Sequence, residues 1–295
     1  DLASFLFYMQ ILAMPVRQAG MVVNSYARAF SAGERLFEVL DYESHVRESK
    51  KPKTLSHSKG KVVFEDVSFS YDGHTPILQN INLKGEKGEI IAIVGGPGSG
   101  KSTLVNLLPR FYDVRFGRIT IDGIDIRQAS LDSLRGNIGI VQQDVFLFTT
   151  TLKENIAYGR PDSSMKEIIE AAKIAQLDDF INTLEDGYET VIGERGSTLS
   201  GGQRQRMSIA RAILLDPSIL ILDDSTASVD AETEEQIRKA MESLMHGRTT
   251  FVIANRLSTV HKADEIIVLD HGKIVERGSH EQLIDIPGLY RQIYD

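Results

Sequence analysis

Gly95-Gly96-Pro97-Gly98-Ser99-Gly100-Lys101-Ser102-Thr103 decides the reading of this 295-residue chain. Before it, Glu89-Ile-Ile-Ala-Ile-Val94 reads as a short buried strand. After it, Leu104-Val-Asn-Leu-Leu108 is expected to start an amphipathic helix. Strand, glycine-rich loop, Lys-Ser and helix make up the P-loop pattern. Glycines let the backbone curl so that successive N–H groups point at phosphate oxygens. The helix that begins there adds unpaired N–H groups and a dipole that favours an anion. Lys101 reaches terminal phosphates as a point charge, and the Ser102 hydroxyl suits Mg²⁺.

Two further stretches belong with this loop. Ser218-Ile-Leu-Ile-Leu222 reads as a buried strand that ends in Asp223-Asp224. A carboxylate at the carboxyl end of such a strand, beside a P-loop, is placed to hold Mg²⁺ directly or through water, so Asp223 reads as the Walker B aspartate. About one helix earlier, Leu199-Ser200-Gly201-Gly202-Gln203 opens a helix that runs to Leu215. It is either a second phosphate-directed helix N-terminus or a plain serine N-cap followed by a turn. Two phosphate-directed loops with one P-loop imply a nucleotide site shared between subunits.

Composition bounds the rest. The apolar share of 42% is ample for a core, and 295 residues allow one large domain or two smaller ones. A net charge of −8 argues against a nucleic-acid surface, which is usually basic. There are no cysteines, hence no disulfide, thiolate or Cys-ligated zinc chemistry. No signal peptide is visible, and the opening without Met is expected to be a cut through a longer protein.

Residues 1–41 differ from the remainder of the chain. Phe5 to Val16 is apolar but shorter than the roughly 20 residues that span a bilayer. Val22, Val23, Tyr26, Phe30, Leu36, Phe37 and Leu40 then recur at helical spacing. A long helix emerging from a membrane is expected, with an ordinary core helix as the alternative. Residues 42–59 have the polar composition of a linker. From Lys61 strands lead, then strands alternate with helices, and 152–185 reads as helical with Met165, Ile168, Ile169, Ala172 and Ile174 on one face. The expected fold is α/β: a parallel core, antiparallel strands in front, and a helical insert over about 150–215.

With these motifs in place, residues 61–295 resemble the nucleotide-binding domain of an ABC transporter. Residues 1–41 resemble the end of the last transmembrane helix of an exporter-type half-transporter. The resemblance implies ATP and Mg²⁺ as ligands, ATP hydrolysis coupled to transport, and a multi-pass protein of the cell membrane with this domain on the cytoplasmic side. It implies that Tyr71 stacks on adenine and that Gly95–Ser102 is the Walker A loop. Gln143 would be the Q-loop glutamine, touching the metal and lying near the contact with the membrane domain. Thr190–Gly196 would be the exporter X-loop, Leu199–Gln203 the signature, and Ala227-Ser-Val-Asp230 the D-loop.

Two positions depart from the family. Its glutamate after the Walker B aspartate is Asp224 here, and its switch-loop histidine is Asn255. One methylene fewer draws the carboxylate back, and asparagine can hydrogen-bond a γ-phosphate but cannot carry charge. The resemblance therefore points to a slow ATP site on this chain, whose intact signature completes a fast site on a second half-transporter. A homodimer with two slow sites is the alternative within the class. A soluble ABC ATPase unconnected with transport is the alternative outside it. The transported small molecule or lipid is not written in these residues.

Overall fold

The computed structural model describes residues 2–56, 58–142, 144–193, 196, 198–224, 231–254 and 260–294. Two compact units are present, Asp1–Arg47 and Glu48–Asp295. The first is dominated by one helix, α1 (Leu2–Leu40), which passes through Pro15 and buries none of its residues. At 1.5 Å per residue its 39 residues extend about 58 Å. It is the one helix among the described residues long and apolar enough to cross a membrane, with a mean hydropathy of 1.2 over its most apolar 18-residue window. The apolar run 5–16 is only the first part of it.

The second unit holds two sheets. Strands β1 (Val62–Phe69), β2 (Leu78–Gly85), β4 (Phe116–Ile121) and β5 (Ile124–Asp125) form an antiparallel sheet ordered β2-β1-β4-β5. Strands β3 (Ile90–Val94), β6 (Ile138–Val141), β7 (Ile219–Asp224), β8 (Thr249–Ala254), β9 (Glu265–Asp270) and β10 (Lys273–Gly278) form the larger sheet, ordered β10-β9-β3-β8-β7-β6. Its strands are parallel except β10, which turns back along β9.

The apolar strands follow from burial on both faces. Ala92, Val94, Leu220, Leu222, Val252, Ile266 and Val268 enter one core with the helices. The alternating Ile91, Ile93, Ile219, Ile221, Phe251, Ile267 and Leu269 enter a second core with the antiparallel sheet. That second core also takes Leu104, Val105, Leu107 and Leu108, from α2 (Lys101–Asn106) and the turn after it, and Leu134 from α3 (Leu131–Gly136). The first core is closed by α4 (Leu152–Ile156), α5 (Met165–Ile174), α6 (Asp178–Asn182), α7 (Gly201–Leu215) and α8 (Ala231–Met245).

Three local expectations are corrected. Helix α2 starts at Lys101 rather than Leu104, because Gly100 takes the left-handed N-cap conformation (φ 104°) and brings Lys101–Thr103 into the first turn. Strand β7 ends on Asp224, paired with Ala254, as expected, but begins at Ile219 rather than Ser218. Met165 is exposed at the first turn of α5, where the Ser164–Glu167 capping box sets the helix start. The apolar face falls instead on Ile168, Ala171 and Ala172.

The polar stretch 42–59 divides between the two units. The Lys53 carbonyl accepts from Ser130 N at 2.9 Å and its amide donates to Gln128 O at 2.7 Å, while Leu55 is 5% exposed. The Asp122 carboxylate accepts from the Ser58 hydroxyl and from the amides of Lys59 and Lys61. Polarity here reflects local caps and turns as much as solvent.

Candidate nucleotide site

The P-loop leaves the carboxyl end of β3, where ligands bind in open α/β sheets. Gly95 has φ 151° and lies so close to β9 that an added Cβ would sit 2.2 Å from Leu269 O. Gly96 and Gly98 face open space. Helix α2 has no side-chain cap, so the amides of its first turn remain for a ligand. Ser99 is 4% exposed, and its Oγ has no hydrogen-bond partner. An open cradle, uncapped amides and an orphaned hydroxyl fit phosphate.

Lys101 folds over this loop, its Nζ donating to Gly95 O at 2.7 Å and Gly96 O at 2.9 Å. Burial holds its pKa below the ordinary lysine value, and the Asp223 carboxylate works against that shift. Ser102 and Asp223 line one cleft with Asn106, Gln142 and Asp144. A hydroxyl and a carboxylate are hard oxygen donors suited to Mg²⁺, which typically takes one or two protein ligands and completes its shell with phosphate and water. Among the described residues no group of three His, Asp or Glu could hold a metal unaided.

Tyr71 stands beside the same helix, its hydroxyl 3.1 Å from Thr103 Oγ1, with 54% of the residue exposed. A half-open ring next to the P-loop is placed to meet a base. Ser200 caps α7: its Oγ accepts from Gln203 N at 3.2 Å, and Gln203 Oε1 accepts from Ser200 N at 2.8 Å. The hydroxyl proton of Ser200 is thus not used by the cap. None of Ser200, Gly201, Gly202 and Gln203 lines the cleft at Ser102 and Asp223. The fold therefore brings Tyr71, the loop 95–103 and Asp223 together and leaves the signature elsewhere.

Gln143, Asp230, Asn255 and the side chain of Asp224 lie outside the described residues. The register still relates two of these positions. Asp224 is the Cα partner of Ala254, the last residue of β8 and the one before Asn255 in sequence. In sequence, the two departures from the family pattern are thus the last residue of β7 and the residue that follows β8.

A second feature was not foreseen. A cavity of about 300 Å³ is lined by Phe146, Phe148, Tyr158, Gln142, Ser208 and Arg211, among others. Arg211 on α7 donates to Phe146 O at 2.7 Å and to Asn155 O at 2.6 Å. Its guanidinium also lies over the rings of Phe148 and Tyr158, which stack at 4.4 Å. Asn155, 0% exposed, pairs with both backbone groups of Phe148 at 3.0 Å. The available signal was an arginine inside the apolar run Ile209–Leu214.

The pattern of the ABC transporter family matches residues 78–227, more than half of the chain. This chain belongs to the ABC transporter family. It is 46% identical over its whole length to YwjA, an ABC transporter ATP-binding protein of Bacillus subtilis, and spans 51% of that protein. It is 49% identical over 99% of its length to the ATP-dependent lipid A-core flippase of Syntrophus aciditrophicus, of which it spans 48%. Among solved structures, a bacterial Atm1-family ABC exporter with ATP bound superposes with a TM-score of 0.83 at 41% identity, over 97% of this chain and 50% of that one. The chain thus spans about half the length of the curated relatives it matches. Membership of the ABC transporter family implies nucleotide binding, and the cradle at 95–103 is the candidate site for it.

Proposed function

We propose that the chain is the ATP-binding part of an ABC exporter half-transporter, joined to the end of its last membrane helix. It would lie at the cell membrane with the nucleotide site in the cytoplasm. The observation that carries this reading is Ser102 and Asp223 lining one cleft, with Lys101 beside Ser102 folded over the loop and the signature serine outside the cleft. A signature that does not serve its own cleft is available to a second subunit.

In this reading Tyr71 takes the base. Lys101 leaves the carbonyls of Gly95 and Gly96 for the terminal phosphates. Mg²⁺, held by Ser102 and Asp223 with Gln143, would neutralise charge on the β- and γ-phosphate oxygens. Asp224 accepts a proton from the attacking water as the β–γ bond breaks, and Asn255 hydrogen-bonds the γ-phosphate. Catalysis is mostly positioning and charge stabilisation. Ser200, Gly202 and Asp230 complete the site of a second half-transporter, and closure of the two domains around ATP drives the membrane helices. The aromatic groove beside Gln142 is the surface through which that motion would pass.

Asp224 and Asn255 make this chain's own site slow, so the better partner is a different half-transporter with a normal glutamate and histidine. A lipid or other apolar small molecule is the proposed cargo class, in keeping with the flippase named above. Steady-state ATPase of the assembled transporter tests this. Loss of turnover in Ser200→Ala, with little effect of Asp224→Asn, is the expected result. Loss in both variants would make Asp224 a working base and a homodimer the better account.

A further inference from the structure

Tyr71 does not stand alone. Its ring is perpendicular to two neighbours, Phe69 at 4.9 Å and 86° and Tyr112 at 5.0 Å and 85°. Phe69 and Tyr112 also touch each other, at 5.6 Å. The three rings form a closed triangle in which no ring lies flat on Tyr71. Phe69 is buried at the end of β1, whereas Tyr112 is 43% exposed.

Tyr112 is held by a corner rather than by a helix or strand. Arg110 has φ 53° and is 3% exposed. Its guanidinium forks the carboxylate of Asp113, Nε to Oδ1 at 2.6 Å and Nη2 to Oδ2 at 3.1 Å. This clamp spans Phe111 and Tyr112 and fixes where both point. The corner follows α2, so the P-loop helix and Tyr112 belong to one continuous piece of chain. Tyr71 is therefore tied to that piece at two points, its hydroxyl at Thr103 and its ring at Tyr112.

An exposed aromatic on a loop pays rotamer entropy when a base stacks on it. A ring already fixed in its plane avoids that loss. We propose that Tyr112 is a positioning residue for the nucleotide base: it holds the Tyr71 ring in the orientation presented to the base, without touching the phosphates. This rests on Tyr71 being the base platform, and it extends the site to a residue in the corner that follows the P-loop helix.

The test is equilibrium binding of radiolabelled ATP, and separately of inorganic triphosphate, to the full transporter carrying Tyr112→Ala, Tyr112→Phe, Tyr71→Ala or the double alanine variant. An aromatic pair of this kind accounts for about a two- to tenfold change in affinity. Tyr112→Ala is expected to weaken ATP by that factor and leave triphosphate unchanged. Tyr112→Phe should bind ATP as the parent does, and Tyr112→Ala should add little once Tyr71 is alanine. Unchanged ATP affinity in Tyr112→Ala, full additivity with Tyr71→Ala, or an equal loss of triphosphate binding would each overturn the proposal. If Tyr71→Ala itself binds ATP normally, the base-platform reading fails, and that result is distinct from the others.

Discussion

Asp224→Glu is the perturbation that speaks most directly to the proposed slow site. Two properties change, basicity and reach. The ordinary pKa values of Asp and Glu differ by about 0.4 unit, so basicity alone supplies at most about a 2.5-fold gain. Reach is a larger matter. The backbone at Asp224 is fixed: Leu222 is paired on both sides, to Val141 and Val252, and Asp223 and Asp224 pair with Ile253 and Ala254. The strand therefore has no freedom to slide forward and compensate for a short side chain. A displacement of about 1 Å costs on the order of 10²-fold in rate, about 2.7 kcal/mol of activation free energy. Single-turnover release of phosphate from ATP bound at this subunit, in the assembled transporter with the other site silenced, should rise toward that factor in Asp224→Glu. Adding Asn255→His should raise it further. A gain below threefold would match basicity alone and refute the argument from reach.

Other perturbations test the same geometry. Gly100→Ala would place a Cβ 2.9 Å from Leu78 Cδ2 at a φ of 104°, a strain of about 1–3 kcal/mol, and should weaken ATP binding at least tenfold in an equilibrium assay. Asn155→Ala leaves the Phe148 amide without its acceptor, while the Phe148 carbonyl keeps the Thr150 amide, and should lower stability by about 2 kcal/mol, read as a drop in the thermal transition of the nucleotide-binding domain. Tyr188 is 9% exposed and its hydroxyl donates to Asp178 Oδ1 at 2.5 Å. Burial, then that hydrogen bond, pushes its pKa well above the ordinary 10.0, so stability is fully present below about pH 10 and falls above it as the unfolded chain ionises first. Tyr188→Phe should remove that alkaline slope in a pH series of unfolding curves.

What could be read from sequence was local. The loop 95–103 and the buried strands at 90–94 and 219–224 carry their meaning within a few residues, through glycine freedom and unbroken apolar runs. The start of α2 was misplaced because the left-handed turn at Gly100 is a backbone property that residue type permits but does not announce. The groove was missed for a different reason. Phe146, Asn155, Tyr158 and Arg211 are scattered over more than sixty positions and acquire a common role only when α7 crosses the preceding loop. Tyr112 was passed over likewise, since nothing near it in sequence hints at Tyr71.

Lys101, resting on the carbonyls of Gly95 and Gly96, gives the loop a selectivity of its own. The arrival of a phosphate is an exchange of partners rather than an addition. Two bonds from the ammonium group to neutral carbonyl oxygens are given up for bonds in which both partners are charged. Only the difference is gained, so a neutral molecule of similar shape has nothing with which to dislodge the ammonium group. In the proposed site the lysine would thus favour an anion over a neutral molecule of the same shape.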